Sequence, residues 1–248
     1  MGVKFEKNVI VGKSITLKQL KDDGFDAIFI CSGAGLPKMM NIPGENLNGV
    51  FGGNELLEKG EYPELNNKTA IVNGGGNVAI DVARTIKKLG ANVKIVYRRS
   101  ENEMPAEIKE IAEAKEEGIE FIFQTNILNI NGKNNVESIE CVKTELIKDE
   151  QDSRLKPINI EGTNHIIKCD YVITAIGGKP EEKIVKSLNI ELNNKNQIIT
   201  NEYLQTSNKK IFAGGDVSGT TSTVAFAAYS GRQAAENIRK YLEGEINE

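Results

Sequence analysis

Residues 70–100 constrain the fold of this 248-residue chain more than any other stretch. They read AIVNGGGNVAIDVARTIKKLGANVKIVYRRS. A β-branched run ends in Gly74-Gly75-Gly76-Asn77-Val78-Ala79, an amphipathic helix follows, and a second apolar run, Val93 to Tyr97, completes the unit. This is the G-x-G-x-x-G/A fingerprint inside a βαβ unit. Each small residue has a physical task. Gly74 allows the tight turn out of the strand. Gly76 has no Cβ, so a pyrophosphate can approach the backbone. Ala79 lets the helix pack closely on the strand. The helix N-terminus adds free N–H groups and the positive end of its dipole. The glycine turn and the helix N-terminus behind it are therefore the expected phosphate cradle of a dinucleotide site.

The end of the second strand selects among dinucleotides. A site for NAD usually places Asp or Glu about 20 residues on, bonded to the ribose 2′-hydroxyl. Here Arg98 and Arg99 stand 22 and 23 residues after Gly76. Two guanidinium groups suit a 2′-phosphate, so the reading is NADPH rather than NADH. The opposing reading of the arginines is solvated surface charge, and that of the glycines a turn in an unrelated α/β protein.

Bulk properties remove other classes. A hydrophobic share of 39% and a charged share of 27% fit a globular domain or two. The net charge of −4 argues against a nucleic-acid surface. No apolar run is long enough to span a membrane and no signal peptide is evident, so a cytoplasmic, membrane-free protein is expected. Cys31, Cys141 and Cys169 lie far apart with no C-x-x-C pair, which excludes a cysteine-only iron–sulfur or zinc site within this chain, and a C-x-x-C redox centre too. His165 is the single histidine, so no His-based triad or metal site is expected. Chemistry here must come from bound cofactors, with no catalytic side chain and no metal ligand.

Along the chain, Val3–Phe5 and Val9–Val11 read as short extended pieces. Thr16 to Leu20 reads as a helix capped by Thr16 with Gln19 at its third position. FDAIFIC (25–31) reads as a buried parallel strand. Asn54–Lys59 reads as a short helix, Pro105–Glu117 as a helix with Ile108, Ile111 and Ala112 on its apolar face, and Ile119–Gln124 as a strand. Asn131–Asn135 joins two strands as a hairpin. Lys148–Gly162 reads as a polar loop, Ile166–Ile176 as one strand, Lys210–Ala213 as another, and Thr223–Tyr241 as the last helix. Strands end in glycine turns at ICSGA, TAIGG and IFAGGD, the type of edge at which α/β sheets bind ligands. Two of these lie outside the Gly74 unit and point to a second nucleotide site.

At this point the chain resembles the small (β) subunit of NADPH-dependent glutamate synthase and its relatives. The resemblance rests on IPGE (42–45), GGGNVAIDVART (74–85), VYRRSENEMPAE (96–107), TAIGGKP (174–180) and IFAGGDVSGTTSTVAFAAYSGRQAA (211–235). It implies an α/β flavoprotein fold of two Rossmann-like domains: FAD-binding segments at 1–53 and 178–248, with an NADP-binding domain inserted at 54–177. It implies that Ile176 and Gly177 line the crossing between domains, and that Ser32 and Gly33 lie on the FAD adenosine side. Gly215 and Asp216 meet FAD, with the Asp216 carboxylate on the ribityl chain, and Thr223 and Val224 lie by the flavin ring. The implied enzyme is an NADPH-dependent oxidoreductase passing hydride to FAD, with electrons leaving to a large glutamate synthase-like subunit or another electron-accepting partner.

Two departures shape the expectation. Relatives begin with a cysteine-rich iron–sulfur domain and a first glycine fingerprint for FAD, and this chain shows neither. Asn73 stands where an apolar residue is usual, and Thr220-Thr221 where Gly-Pro is common. The chain thus reads as a C-terminal part with an incomplete FAD domain. It is expected to bind NADPH, hold little or no FAD, and self-associate, as a homodimer for example. The alternative function is a nucleotide-binding fragment with no turnover.

Overall fold

The computed structural model describes residues 2–148, 155–219 and 223–246. The chain divides into two compact units: a middle unit, Pro37–Gly178, and a flanking unit, Met1–Leu36 with Lys179–Glu248. In chain order the elements begin with α1 (Leu17–Asp22), β1 (Ile28–Ile30) and β2 (Leu36–Pro37). The middle unit holds β3 (Val50–Gly52), α2 (Gly53–Lys59), β4 (Thr69–Asn73), α3 (Asn77–Lys88), β5 (Asn92–Val96) and α4 (Ile108–Glu116). It continues with β6 (Glu120–Ile122), β7 (Thr125–Asn131), β8 (Ser138–Ile147), β9 (Lys156–Asn159), β10 (His165–Lys168) and β11 (Tyr171–Thr174). Then follow β12 (Gly178–Lys179), α5 (Glu182–Ser187), β13 (Ile211–Ala213) and α6 (Val224–Leu242).

The middle unit is built on a parallel sheet of order β3-β11-β4-β5-β6. Its central strands β4 and β11 are buried on both faces, which is why they read as continuous apolar runs. The two-residue period sorts their side chains. Ala70 and Val72 of β4, Val93 and Ile95 of β5 and Ile173 of β11 join the core under α2, α3 and α4. Ile71, Val96 and Val172 point the other way, into a core shared with Ile127, Ile130, Ile139 and Cys141. Those four come from an antiparallel sheet in which β8 pairs with β7 on one side and with β10 and then β9 on the other. Burying each such side chain contributes about 1.5–3 kcal/mol. The parallel sheet is therefore held between helices and a second sheet.

The inner boundary falls at 36/37, whereas the sequence reading set it at 53/54. The reason is pairing: Val50, Phe51 and Gly52 run parallel to Val172, Ile173 and Thr174 on the sheet of the middle unit. Residues 166–176 are two strands rather than one. The chain turns at Cys169-Asp170, where the Asp170 carboxylate accepts from the Thr69 N–H (2.8 Å) and pairs with Lys68 (3.2 Å). β10 belongs to the antiparallel sheet and β11 to the parallel one. The polar stretch read as a loop contains β9, paired with Thr144–Ile147; residues 149–154 lie outside the described residues. The helix expected from Pro105 starts at Ile108, and its buried residues are Ile111 and Ala114, with Ile108 exposed. Arg84 bonds Glu113 and Glu117, tying α3 to α4; these bonds hold the Glu117 carboxyl below its ordinary range.

In the flanking unit β1 and β13 form a two-stranded parallel sheet, with Ile30 opposite Ala213. Val185, Leu188, Ile198, Ala213 and Val217 make its core, with Leu17 and Ile30 against them. Thr16 and Gln19 form the expected capping box of α1. The run at 25–31 yields only three strand residues, all half-buried, because β1 has a single neighbour strand. Val3 and Phe5 are more than four-fifths exposed and belong to no strand, and Val11 makes one isolated bridge to Ile15. Along α6 only Ser230, Ala234 and Asn237 are buried, while Val224, Phe226 and Tyr229 are exposed.

Candidate functional site

Adjacent strands deliver the expected residues of the middle unit to one edge. Thr174, Asn73 and Val96 are in register across β11, β4 and β5. Ile176-Gly177, Gly74–Val78 and Arg98-Arg99 therefore leave the sheet side by side at its carboxyl ends, where α/β sheets receive ligands. The three glycines differ in what holds them. A Cβ on Gly74, whose φ is +153°, would lie 2.3 Å from the Ala175 carbonyl oxygen. A Cβ on Gly75 would lie 2.6 Å from the Tyr97 ring. On Gly76, with φ −94°, it would meet only Pro105 Cγ, at 3.8 Å. The fold demands the first two glycines and leaves open space beside the third. That space faces the start of α3, whose first amides have no intrahelical acceptor. A pyrophosphate fits there.

The segment after Arg99 buttresses this turn. Ala106 N–H donates to the Gly75 carbonyl (3.3 Å) and Glu107 N–H to Asn77 Oδ1 (3.1 Å). Tyr97 OH donates to the Glu103 carbonyl (2.8 Å), and Ser100 and Glu103 form a capping box. Pro105 to Glu107 are thus strapped to the glycine turn, which is why α4 cannot begin there. Asn73, at the place of an expected apolar residue, directs its amide to the Met40 sulfur.

Arg98 is exposed; Arg99 is half-buried and donates Nε–H to the Leu155 carbonyl (2.8 Å). The backbone beneath both is pinned. The carbonyls of Tyr97, Arg98 and Arg99 accept from Thr125 N–H (3.1 Å), Thr144 OH (2.8 Å) and Gln124 N–H (3.0 Å). A cavity of about 400 Å³ lies near the β3 end of the same edge, lined by Pro37, Met39, Glu45, Val50, Phe51 and Thr174 among others. Glu45 is committed there to the N–H groups of Met40, Asn41 and Ile42. The Thr174 hydroxyl is buried without a partner.

In the flanking unit Ser32-Gly33 and Gly214–Asp216 leave β1 and β13 at adjacent carboxyl ends, with Gly214 N–H donating to the Ile30 carbonyl (3.1 Å). Gly215 has φ +71°, and its N–H donates to Ser230 Oγ of α6 (3.0 Å). A Cβ there would touch only Ala227, at 3.7 Å. Asp216 is half-buried in a 3₁₀ turn, Thr223 caps α6, and Val224 opens it, 89% exposed. Thr220 and Thr221 lie outside the described residues.

Residues 2–234 match the pyridine nucleotide-disulphide oxidoreductase family. The chain belongs to that family. It is 34% identical to the glutamate synthase [NADPH] small chain of Halomonas elongata over 98% of its own length and 55% of that protein. It is 34% identical to the Escherichia coli glutamate synthase [NADPH] small chain (98% and 56%) and to the NADP(+)-dependent formate dehydrogenase subunit beta of Moorella thermoacetica (98% and 35%). The chain thus spans about half the length of the glutamate synthase chains it matches. Its fold is that of Mycobacterium tuberculosis FprA in complex with NADPH, with a TM-score of 0.82 at 20% identity over 96% of this chain and 68% of the other. Lactococcus lactis thioredoxin reductase gives 0.70 at 25% identity over 88% and 66%. The sequence resemblance and the doubly nucleotide-binding fold class stand.

Several residues of this family member escape a sequence reading. Tyr97 walls the glycine turn, while Gln124, Thr125 and Thr144 pin the arginine backbone from strands far along the chain. Gln124 takes φ +47°, a hint of a special turn that no local motif announces. Cys141 and Cys169 are buried, and burial pushes both thiols up to about 12; they are packing residues. Among the described residues no helix is long and apolar enough to cross a membrane.

Proposed function

We propose that this chain is the NADPH-binding part of a flavin-dependent oxidoreductase of the glutamate synthase small-subunit kind. The carrying observation is the pairing of an open Gly76 at the α3 N-terminus with an exposed Arg98 on the next strand end. In this reading Gly74, Gly75, Gly76, Asn77 and Val78 hold the pyrophosphate, and Arg98 and Arg99 hold the 2′-phosphate. Ile176 and Gly177 line the nicotinamide end, because they leave the sheet on the side away from the arginines. The names of the three relatives reported above carry NADP or NADPH, which supports the choice of nucleotide.

Ser32, Gly33, Gly215, Asp216, Thr223 and Val224 are assigned to FAD in the flanking unit, with the middle unit as the inserted NADP domain. FAD, when bound, supplies the hydride acceptor. The chain's contribution is positioning: no side chain serves as acid or base. Electrons leave to a large glutamate synthase-like subunit or an equivalent acceptor. A second reading, a nucleotide-binding module without turnover, is favoured by the two-stranded β1–β13 sheet, a small platform for FAD. A yellow purified protein supports the enzyme, a colourless one the module.

The test is titration of NADPH and NADH into wild type and Arg98→Ala/Arg99→Ala. Each charge-assisted bond contributes roughly 1.5–3 kcal/mol, about 10- to 100-fold per arginine. The double variant is expected to lose the NADPH preference while keeping NADH affinity. Equal wild-type affinities would refute the assignment.

A further inference from the structure

We infer that Thr144 is a positioning residue for nucleotide choice: its hydroxyl holds the backbone of Arg98 so that the guanidinium is presented to a 2′-phosphate. The inference rests on the NADPH reading above and deepens it.

Arg98 is exposed, so its backbone is what the protein controls. Three successive carbonyls, from Tyr97 to Arg99, accept hydrogen bonds from Thr125 and Thr144 of the antiparallel sheet and from Gln124 just before β7. Two of the donors are main-chain N–H groups, which no substitution short of proline removes. The third is the Thr144 hydroxyl, 2.8 Å from the Arg98 carbonyl and 46 residues away in sequence. Thr144 is 3% exposed, in β8 opposite Asn159 of β9. Its own N–H donates to the Gln124 carbonyl (2.8 Å), so it is fixed from behind by the residue that also donates to Arg99. A β-branched hydroxyl residue suits the place: it is stiff at χ1 and holds the donor in one direction.

A guanidinium on a long side chain loses rotamer freedom when it grips a phosphate. Fixing its Cα beforehand removes part of that cost, as preorganisation does generally. The pyrophosphate cradle at Gly76 leaves the carboxyl end of β4 and rests against Tyr97 and Ala106, whereas the Thr144 hydroxyl bonds one residue beyond Tyr97, at the Arg98 carbonyl. The Thr144 bond is therefore expected to bear on the 2′-phosphate more than on the pyrophosphate, which separates positioning from general support of the fold.

The experiment is calorimetric titration of NADPH and NADH into the full chain as wild type, Thr144→Val, Thr144→Ser, Arg98→Ala and Arg98→Ala/Thr144→Val. Thermal melts confirm that each variant is folded at the titration temperature. Valine keeps the shape and removes the donor; serine keeps the donor. Thr144→Val is expected to weaken NADPH about three- to tenfold, the size of one hydrogen bond, with NADH unchanged. Thr144→Ser restores NADPH affinity, and Thr144→Val adds nothing once Arg98 is alanine. Equal weakening of both nucleotides, full additivity with Arg98→Ala, or no effect of Thr144→Val beside a weakened Arg98→Ala overturns the inference alone. An Arg98→Ala chain with unaltered NADPH affinity overturns it together with the NADPH reading.

Discussion

A methyl group added at Gly75 or Gly76 separates what the fold requires from what a ligand requires. At Gly75 it enters the Tyr97 ring, and overpacking of this kind costs about 1–3 kcal/mol. Gly75→Ala is therefore expected to lower the melting temperature. At Gly76 the backbone is ordinary and the space open, so Gly76→Val is expected to fold with a penalty of about 1 kcal/mol for a poorer helix cap, yet to lose NADPH in calorimetry. Unchanged NADPH affinity in that variant would show the cradle to be misplaced. Thr174→Val replaces a buried hydroxyl that has no partner with an isosteric apolar group, and is expected to raise stability by about 1 kcal/mol in denaturant titration. A loss of NADPH affinity instead would make that hydroxyl a ligand group. Iodoacetamide at pH 8 is expected to label Cys31 alone in the native protein, since Cys141 and Cys169 are buried and hard to ionise.

At the scale of elements, the crossing from the antiparallel to the parallel sheet depends on Asp170. The Thr69 N–H, and then Lys68, hold its carboxyl below the ordinary range. Its contribution is complete above the pKa of the unfolded chain, about 3.9, and is lost as pH falls through the lower folded value. The wild-type melting temperature is therefore expected to fall in acid, with a flatter acid limb in Asp170→Asn. At neutral pH the variant is expected to cost about 1 kcal/mol, a modest figure because both partners are over 40% exposed. An identical acid limb in both proteins would contradict this. The break at Cys169-Asp170 was illegible in sequence because the apolar pattern runs on through it and the partner, Thr69, is remote. The β4-α3-β5 unit was legible because its apolar period, glycine turn and arginines are all local. β9 was hidden by polarity: an edge strand with exposed Ile158 has no buried face to announce it. The same distance hid Thr144 and Thr125, whose task is set by carbonyls on another strand.

For the whole molecule, the two units carry different expectations. The middle unit has two apolar cores and a complete parallel sheet, and supports a folded nucleotide domain. The flanking unit has a two-stranded sheet and exposed Phe5, Phe25, Val224 and Tyr229. Apolar surface and unpaired strand edges of this kind favour association. Size-exclusion chromatography with light scattering is expected to show dimers or larger species; a clean monomer would contradict that reading. The most direct test of the central claim is calorimetric titration of the wild-type chain with NADPH and NADH side by side. One NADPH per chain, bound at least about tenfold more tightly than NADH, is the expected result, the preference one charge-assisted contact supplies. Equal affinities, or no binding of either, would contradict it.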